Sequence, residues 1–222
     1  LVGCDLKNAQ PLILGFVAAK FLACRRTRHK LLNYKPLDKN PYGRYRKGGE
    51  GEDAFFITTT REKLQMLAAK GVYGNRLRDI SSLFEYLNVC QSGLLYESLV
   101  TQRQGRESVK NQLLIDMNDD GSDTSSVMKR FERTYPSVFD VMTALKKDNH
   151  RRLSWILQNQ EARLFIGRIC GRLVREAPEI PVVTVHDSIM TTPSHFETVK
   201  AVAMEEFAKL GLRPTFKRET YC

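Results

Sequence analysis

The chain has 222 residues, enough for one large domain or two small ones, and 42% of them are hydrophobic. Lys and Arg number 35 against 25 Asp and Glu, and this net charge of +10 fits either a nucleic-acid partner or a solubilising surface. The five cysteines are scattered without a Cys-x-x-Cys pair, which argues against a structural zinc site and a disulfide framework and favours a reducing, cytoplasmic compartment.

The N-terminal part predicts a strand followed by a helix. Residues 1–5 form a short apolar run that ends on Asp5, and a helix is expected from about Pro11 to Arg28. The apolar stretch in this helix is interrupted by Lys20 and is too short to span a bilayer, so we expect no membrane partner. Because the first strand begins at Leu1, we expect a further N-terminal part to precede it.

The middle of the chain predicts a loop and then a series of helices. Residues 33–52 are rich in Gly, Pro, Lys, Arg and Tyr, and they fit either a solvated linker or a basic strip that follows a nucleic-acid backbone. From Thr59 to His150 apolar residues recur at helical spacing, with two separate helices expected at 124–134 and 136–148. A long helix is expected from Arg151 to about Glu176.

The last part of the chain changes to β-structure. Residues 181–192 (PVVTVHDSIMTT) are largely β-branched and predict two short strands that meet in a hairpin at His186 and Asp187. Ser194, with Glu197 three residues later, predicts a capping box at the start of a helix, and a last strand is expected in the sequence PTFKRE. The predicted class is α+β, with a small sheet formed by the two ends of the chain.

Two acids stand where predicted strands end. Asp187 lies at the hairpin, where Asp is also an ordinary turn former, and Asp5 could also cap the helix that follows it. Buried sheets avoid unpaired acids, and two carboxylates at adjacent strand ends can clamp two divalent ions about 3.5–4 Å apart. Such a pair of ions supports phosphoryl transfer from a nucleoside triphosphate to a hydroxyl group.

A basic pair lies between the two acids in the sequence. Arg106 and Lys110 are four residues apart on a predicted helix and therefore share one face. The pair fits either two solvated charges or a binding site for the β- and γ-phosphates of a nucleotide. The order along the chain favours the nucleotide site, since an acid after a strand, a basic helix and an acid in a hairpin follow one another.

Three segments resemble motifs of a known family. The sequences DLKNAQPLIL, RESVK and VHDSI resemble, in this order, motifs A, B and C of the A-family DNA polymerases, which include bacterial DNA polymerase I. LQNQEARLF resembles the helix before the family's hairpin, and RPTFKRE resembles its last strand. The resemblance implies a right-hand polymerase with a small antiparallel palm sheet and a predominantly helical fingers subdomain. Residues 1–32 and 151–222 would form the palm, and residues 33–150 the basic linker and the fingers.

The resemblance also implies catalytic and nucleotide-binding roles. Asp5 and Asp187, with the backbone carbonyl of Leu6, would hold two Mg²⁺ ions, or Mn²⁺ in their place. Arg106 and Lys110 would bind the triphosphate of the incoming nucleotide.

Other positions are implied to contact the sugar and the nucleic acid. Gln10 would lie beneath the incoming sugar, His186 near the primer terminus, and Gln158 near the minor groove of the template–primer duplex. Leu114 stands where the family has an aromatic residue, and Ser188 stands where its DNA polymerases often have glutamate. We therefore expect a divergent member of the family, encoded by a phage, a virus or a mobile element.

The expected activity is template-directed nucleotidyl transfer onto a primer–template. DNA synthesis is favoured because Gln10 is bulkier than the glycine that related RNA polymerases use, whereas Ser188 matches those RNA polymerases. The alternatives are an RNA polymerase of the single-subunit type or a primase-like enzyme, a basic nucleic-acid-binding module without catalysis, and an unrelated helical protein. A missing N-terminal part or an accessory subunit would complete the protein.

Overall fold

A computed structural model describes residues 1–35, 80–120 and 124–221. The predicted loop at 33–52 and the helical pattern before residue 80 fall largely outside the described residues. The class is α+β, as predicted, and mostly helical with a small four-stranded antiparallel sheet. None of the helices in these three ranges is long and apolar enough to cross a membrane.

The sheet joins the two ends of the chain, as predicted. Its strands are β1 (Val2–Leu6), β2 (Val183–Val185), β3 (Ser188–Thr191) and β4 (Phe216–Thr220). The spatial order is β2-β3-β1-β4, and every neighbouring pair is antiparallel. Strand β1 therefore has partners on both edges, and all its side chains except that of Asp5 are buried. An inner strand of this kind reads as a nearly continuous apolar run, which is the pattern of residues 1–6.

Before residue 163 the described residues form eight helices, one of which is long and apolar. They are α1 (Ala9–Ala23), α2 (Arg25–Leu32), α3 (Ile80–Ser92), α4 (Leu95–Ser98), α5 (Arg106–Asn118), α6 (Ser126–Thr134), α7 (Pro136–Lys146) and α8 (Arg151–Ala162). Helix α1 is apolar on nearly all sides and packs against α2, α3, α7 and α8. A helix that is apolar all round must be buried, and α1 is accordingly the centre of the helical layer.

The first helix differs from the prediction in its bounds. Helix α1 begins at Ala9 and ends at Ala23, because Cys24 has extended backbone angles (φ −140°, ψ 114°). The single helix predicted from Pro11 to Arg28 is therefore wrong, and α2 starts anew at Arg25. The break coincides with the change from an apolar helix to a charged one.

The long helix predicted at 151–176 is confirmed in extent, but its middle is wider than an α-helix. Helix α8 passes into a π-helical segment, Arg163–Cys170, and then into α9 (Gly171–Glu176). Widened turns of this type are rare and occur frequently at functional sites.

The capping box predicted at Ser194 and Glu197 is wrong. A 3₁₀ turn at Pro193–His195 precedes α10 (Phe196–Ala208), and no side chain caps that helix. The Ser194 hydroxyl instead lies 3.0 Å from the Thr192 hydroxyl, so it is engaged before the helix begins. Helix α10 packs on β1 and β3, and its end is followed by Gly211 at φ 76°, the left-handed conformation that favours glycine.

One buried hydrogen bond fixes the start of α1. Tyr86 on α3 is fully buried, and its hydroxyl donates to the carbonyl of Pro11 at 2.8 Å. The bond holds the first turn of α1, which follows β1 directly, against the helical layer.

Removing this hydroxyl should destabilise the protein. We expect Tyr86→Phe to lower the free energy of unfolding by about 1 kcal/mol, because the buried hydrogen bond between α3 and the first turn of α1 is lost. Urea unfolding measures the change, with Tyr221→Phe as the control, since Tyr221 is exposed and its hydroxyl donates to the half-buried carboxylate of Glu219. Equal destabilisation by the two variants would contradict the role given to Tyr86.

Candidate active site

The two predicted acids lie at the same end of neighbouring strands. In the β1–β3 pair, Asp5 lies opposite Ser188, and the N–H of Leu6 donates to the carbonyl of Asp187 at 3.2 Å. Asp5 and Asp187 both line one cavity of about 610 Å³. The prediction that the strand ending at Asp5 and the hairpin at Asp187 are sheet neighbours is confirmed.

The hairpin between β2 and β3 has a two-residue turn with an unusual backbone. His186 has φ 53°, a left-handed conformation for which such turns prefer glycine or asparagine. A side chain at this φ costs about 1 kcal/mol or more, and such strain clusters at functional sites. His186 lines the same cavity as Asp187, so the strained residue faces the candidate site.

Burial and mutual repulsion make it harder for the acids to lose their protons. Burial, and after it the charge of Asp187, raises the pKa of Asp5 from 3.8 to about 6. Burial also raises the pKa of Asp187, although its own backbone N–H, His186 and Lys110 oppose the shift. Burial and Asp187 likewise raise the pKa of Glu161, a half-buried acid of α8 that lines the cavity. A cation between these carboxylates would relieve their repulsion.

The predicted basic pair belongs to the same cavity as the two acids. Arg106 and Lys110 of α5 both line the cavity, as one shared helix face requires. Arg106 Nε donates to Glu97 and Nη1 donates to Glu107, each at 2.6 Å, and the guanidinium lies 5.5 Å from the ring centre of Tyr96. Since Arg106 and both glutamates are exposed, these ion pairs contribute little stability and can give way to a phosphate.

The cavity collects most of the predicted site residues. Leu6, Gln10 and Leu114 also line it. Gln158 is not among the lining residues, and its side chain is exposed on α8. Glu161, three residues after Gln158 on the same helix, does line the cavity.

Some lining residues were not found by sequence reasoning. They are Lys7, Asn8, Tyr96, Glu107, Glu161, Lys217 and Glu219, among others. Glu161 lies within the segment LQNQEARLF, so a helical-wheel comparison with Gln158 could have suggested it. Lys7, Asn8 and Glu107 are sequence neighbours of the predicted residues, whereas Tyr96, Lys217 and Glu219 carry no local pattern, since only the tertiary fold brings α4 and β4 to the cavity.

The carboxylates fit one class of metal ion. Among the described residues, no three His, Cys, Asp or Glu side chains could hold a metal ion by themselves. Magnesium usually binds to one or two carboxylates, to substrate phosphates and to water, all of which are oxygen ligands. Asp5 and Asp187 could therefore hold Mg²⁺ together with a phosphate-bearing substrate. Leu6 could add only its backbone, because its side chain belongs to the core.

Comparison with protein-family models, with curated proteins and with solved structures finds no match for this chain. The chemistry of the site must therefore be inferred from its own residues.

The raised pKa of Asp5 predicts a pH dependence of stability. The folded protein binds the Asp5 proton more tightly than the unfolded chain does. The contribution of Asp5 to the free energy of unfolding should therefore fall as pH rises from about 4 to about 6. Urea unfolding in the presence of a chelator, across this range, measures the trend. Asp5→Asn should show a shallower decline, and identical curves for the two proteins would contradict the burial and repulsion described for Asp5.

Proposed function

We propose that this chain is the palm and fingers of a template-directed nucleotidyltransferase, most simply a DNA-directed DNA polymerase of A-family type that works in the cytoplasm. One observation carries the proposal: Asp5 and Asp187, at adjacent strand ends, line the same cavity as Arg106 and Lys110. Carboxylates and a basic helix at one cavity are the arrangement that phosphoryl transfer to a hydroxyl needs.

The charges that line the cavity favour the binding of a nucleotide together with metal ions. The lining holds one more carboxylate than it holds Lys and Arg side chains. A bare triphosphate would meet this excess of negative charge, so cations from solution would favour its entry. Two bound Mg²⁺ ions would supply that charge, activate the primer hydroxyl and stabilise the leaving pyrophosphate.

The residues of the chain then position the substrates. Lys110 lies close enough to Asp5 and Asp187 to lower the pKa of both, so it can bind a phosphate next to them. Arg106, whose exposed ion pairs can give way, offers its N–H donors to the outer phosphates while its guanidinium stays near the Tyr96 ring. In this arrangement the protein supplies mainly position and charge, which is how phosphoryl transfer is catalysed.

The remaining roles follow from the same proposal. Gln10 would lie under the incoming sugar, and His186 near the primer terminus. Gln158, exposed on α8 outside the cavity, would face the template–primer duplex. The sheet with α1, α2 and α8 to α10 would be the palm, and residues 33–150 would form the basic linker and the fingers.

Charge removal at the acids separates an enzyme from a binding module. Asp187→Asn and Asp5→Asn should each lower primer extension by the full-length protein about a thousandfold or more, because metal stabilisation of the transition state is worth several kcal/mol. The double variant should be little worse than either single one, since the two acids act as one unit. Thermal melting without metal should not be lowered, because one of two repelling carboxylates is gone.

The control is Asp140→Asn, the same change at an exposed position of α7 away from the cavity. It should retain full activity. Full activity in Asp187→Asn would refute the polymerase assignment. If the unchanged protein and all variants bind duplex in a salt-sensitive way but extend no primer, the chain is a non-catalytic nucleic-acid-binding module.

A further inference from the structure

Helix α2 carries an exposed basic face outside the cavity. Arg26, His29 and Lys30 lie three and four residues apart, so they share one side of the helix, and all three are exposed. We call these three residues the α2 basic face. None of them lines the cavity, and α2 contains no acid. In the described ranges neither Arg26 nor Lys30 forms an ion pair, so both charges are available to a ligand.

The other side of α2 is fixed to the protein. Leu31 is fully buried and Thr27 is nearly so. Arg28 Nε donates to the carbonyl of Phe21 at 3.1 Å, and Nη2 donates to that of Leu22 at 3.4 Å, which ties α2 to the last turn of α1. The fold therefore sets the direction in which the α2 basic face points.

A side-chain contact also orients the ring of His29. Asn33 Nδ2 donates to the His29 carbonyl at 2.9 Å and lies 3.4 Å from Nδ1 of the ring. Because an amide nitrogen only donates, Nδ1 accepts, and the neutral ring then carries its proton on Nε2. His29 can therefore donate from Nε2 to a ligand that also contacts the two cations.

The α2 basic face does not favour the stability of its own helix. Arg26 and Lys30 are four residues apart, a spacing at which like charges repel. Arg26 also lies in the first turn, where the partial positive charge of the helix favours acids, and that turn contains none. An anion bound across both side chains would relieve this repulsion, so the face fits a ligand with several negative charges.

The composition of α2 distinguishes between polyanions. Helices that bind to anionic membranes pair a basic face with exposed apolar residues that enter the lipid. The two leucines of α2 do not fit this role, since Leu31 is buried and Leu32 is half-buried against the core. Three donors along about 6 Å of helix axis instead suit the phosphates of a nucleic-acid strand.

The length of α1 sets the distance between this face and the cavity. Helix α1 has 15 residues and begins at Ala9, which lines the cavity. At 1.5 Å per residue it is about 22 Å long, and α2 starts where it ends. A nucleic-acid duplex covers about 22 Å in six or seven base pairs.

We propose that the α2 basic face binds the phosphate backbone of a nucleic acid whose end is held at the cavity. The contact lies about six or seven nucleotides from that end. The placement of the nucleic-acid end at the cavity rests on the function proposed above, whereas the charge and exposure of α2 do not. The contact adds affinity that does not depend on base sequence, because phosphates carry no sequence information.

The test removes both cations and varies the length of the nucleic acid. Arg26→Gln combined with Lys30→Gln removes the charges and keeps good helix formers. The control combines Lys129→Gln with Arg133→Gln, which removes two exposed cations four residues apart on α6. Hairpin primer–templates are bound to the full-length protein at several salt concentrations. Their duplex has about 5 or about 15 base pairs, and a second series extends only the single-stranded template by the same lengths.

The α2 double variant should bind a long substrate about tenfold more weakly, and the slope of log affinity against log salt should fall by about two, because each lost phosphate contact no longer releases a counterion. Short substrates end before α2, so they should bind equally to the variant and the unchanged protein. Loss with the long duplex identifies the duplex backbone as the ligand, and loss with the long overhang identifies the template strand. The melting temperature of the variant should be equal or higher, because the like-charge repulsion is gone.

Equal loss for short and long substrates, or the same loss in the control variant, would overturn the α2 site, because net charge alone would explain it. Unchanged affinity for every substrate would overturn it too, including a case in which the variant loses binding to phosphatidylserine vesicles. A length-dependent loss in a protein that extends no primer would keep the α2 site and refute the polymerase. Absence of nucleic-acid binding in the unchanged protein would refute both proposals.

Discussion

The pairing of β1 with the C-terminal strands is the constraint on which the site depends. Strand β1 lies between β3 and β4, so the first residues of the chain are held on both edges by its last part. Leu6 donates to the Asp187 carbonyl at 3.2 Å, and Tyr221 donates to the Leu1 carbonyl at 2.9 Å. Because the pairing register sets which strand ends meet, a slip of one residue would turn Asp5 to the opposite face of the sheet.

The helical layer holds the other wall of the cavity against these strand ends. Thr215, just before β4, donates its N–H to the Gln91 carbonyl at 2.9 Å and accepts from the N–H of Lys7 at 3.2 Å, so α3, β1 and β4 are tied at one point. Burial raises the pKa of both acids that this arrangement brings together, and the charge of Asp187 adds to the shift of Asp5. The buried carboxylates at the cavity therefore lower the free energy of unfolding, and a bound cation would offset this loss. Functional sites often reduce the stability of a fold in this way.

Local patterns in the sequence predicted the elements better than the site. The β-branched run before His186 predicted β2, because β-branched residues favour extended backbone, and the apolar run before Asp5 predicted β1, which is an inner strand with buried side chains. The break at Cys24 and the engagement of the Ser194 hydroxyl by Thr192 depend on tertiary packing and on competing local bonds, so neither could be predicted from residue type. The cavity residues contributed by distant elements have no sequence pattern for the same reason.

Joint cation binding by Asp5 and Asp187 is the central claim, and a Mn²⁺ titration followed by electron paramagnetic resonance tests it most directly. The full-length protein is titrated in the presence of a non-hydrolysable nucleoside triphosphate, which completes the set of oxygen ligands. We predict that Asp5→Asn and Asp187→Asn each lose about one bound ion per chain or weaken its binding strongly, and that the double variant loses little more. Mn²⁺ binding that is unchanged in both single variants would contradict the claim.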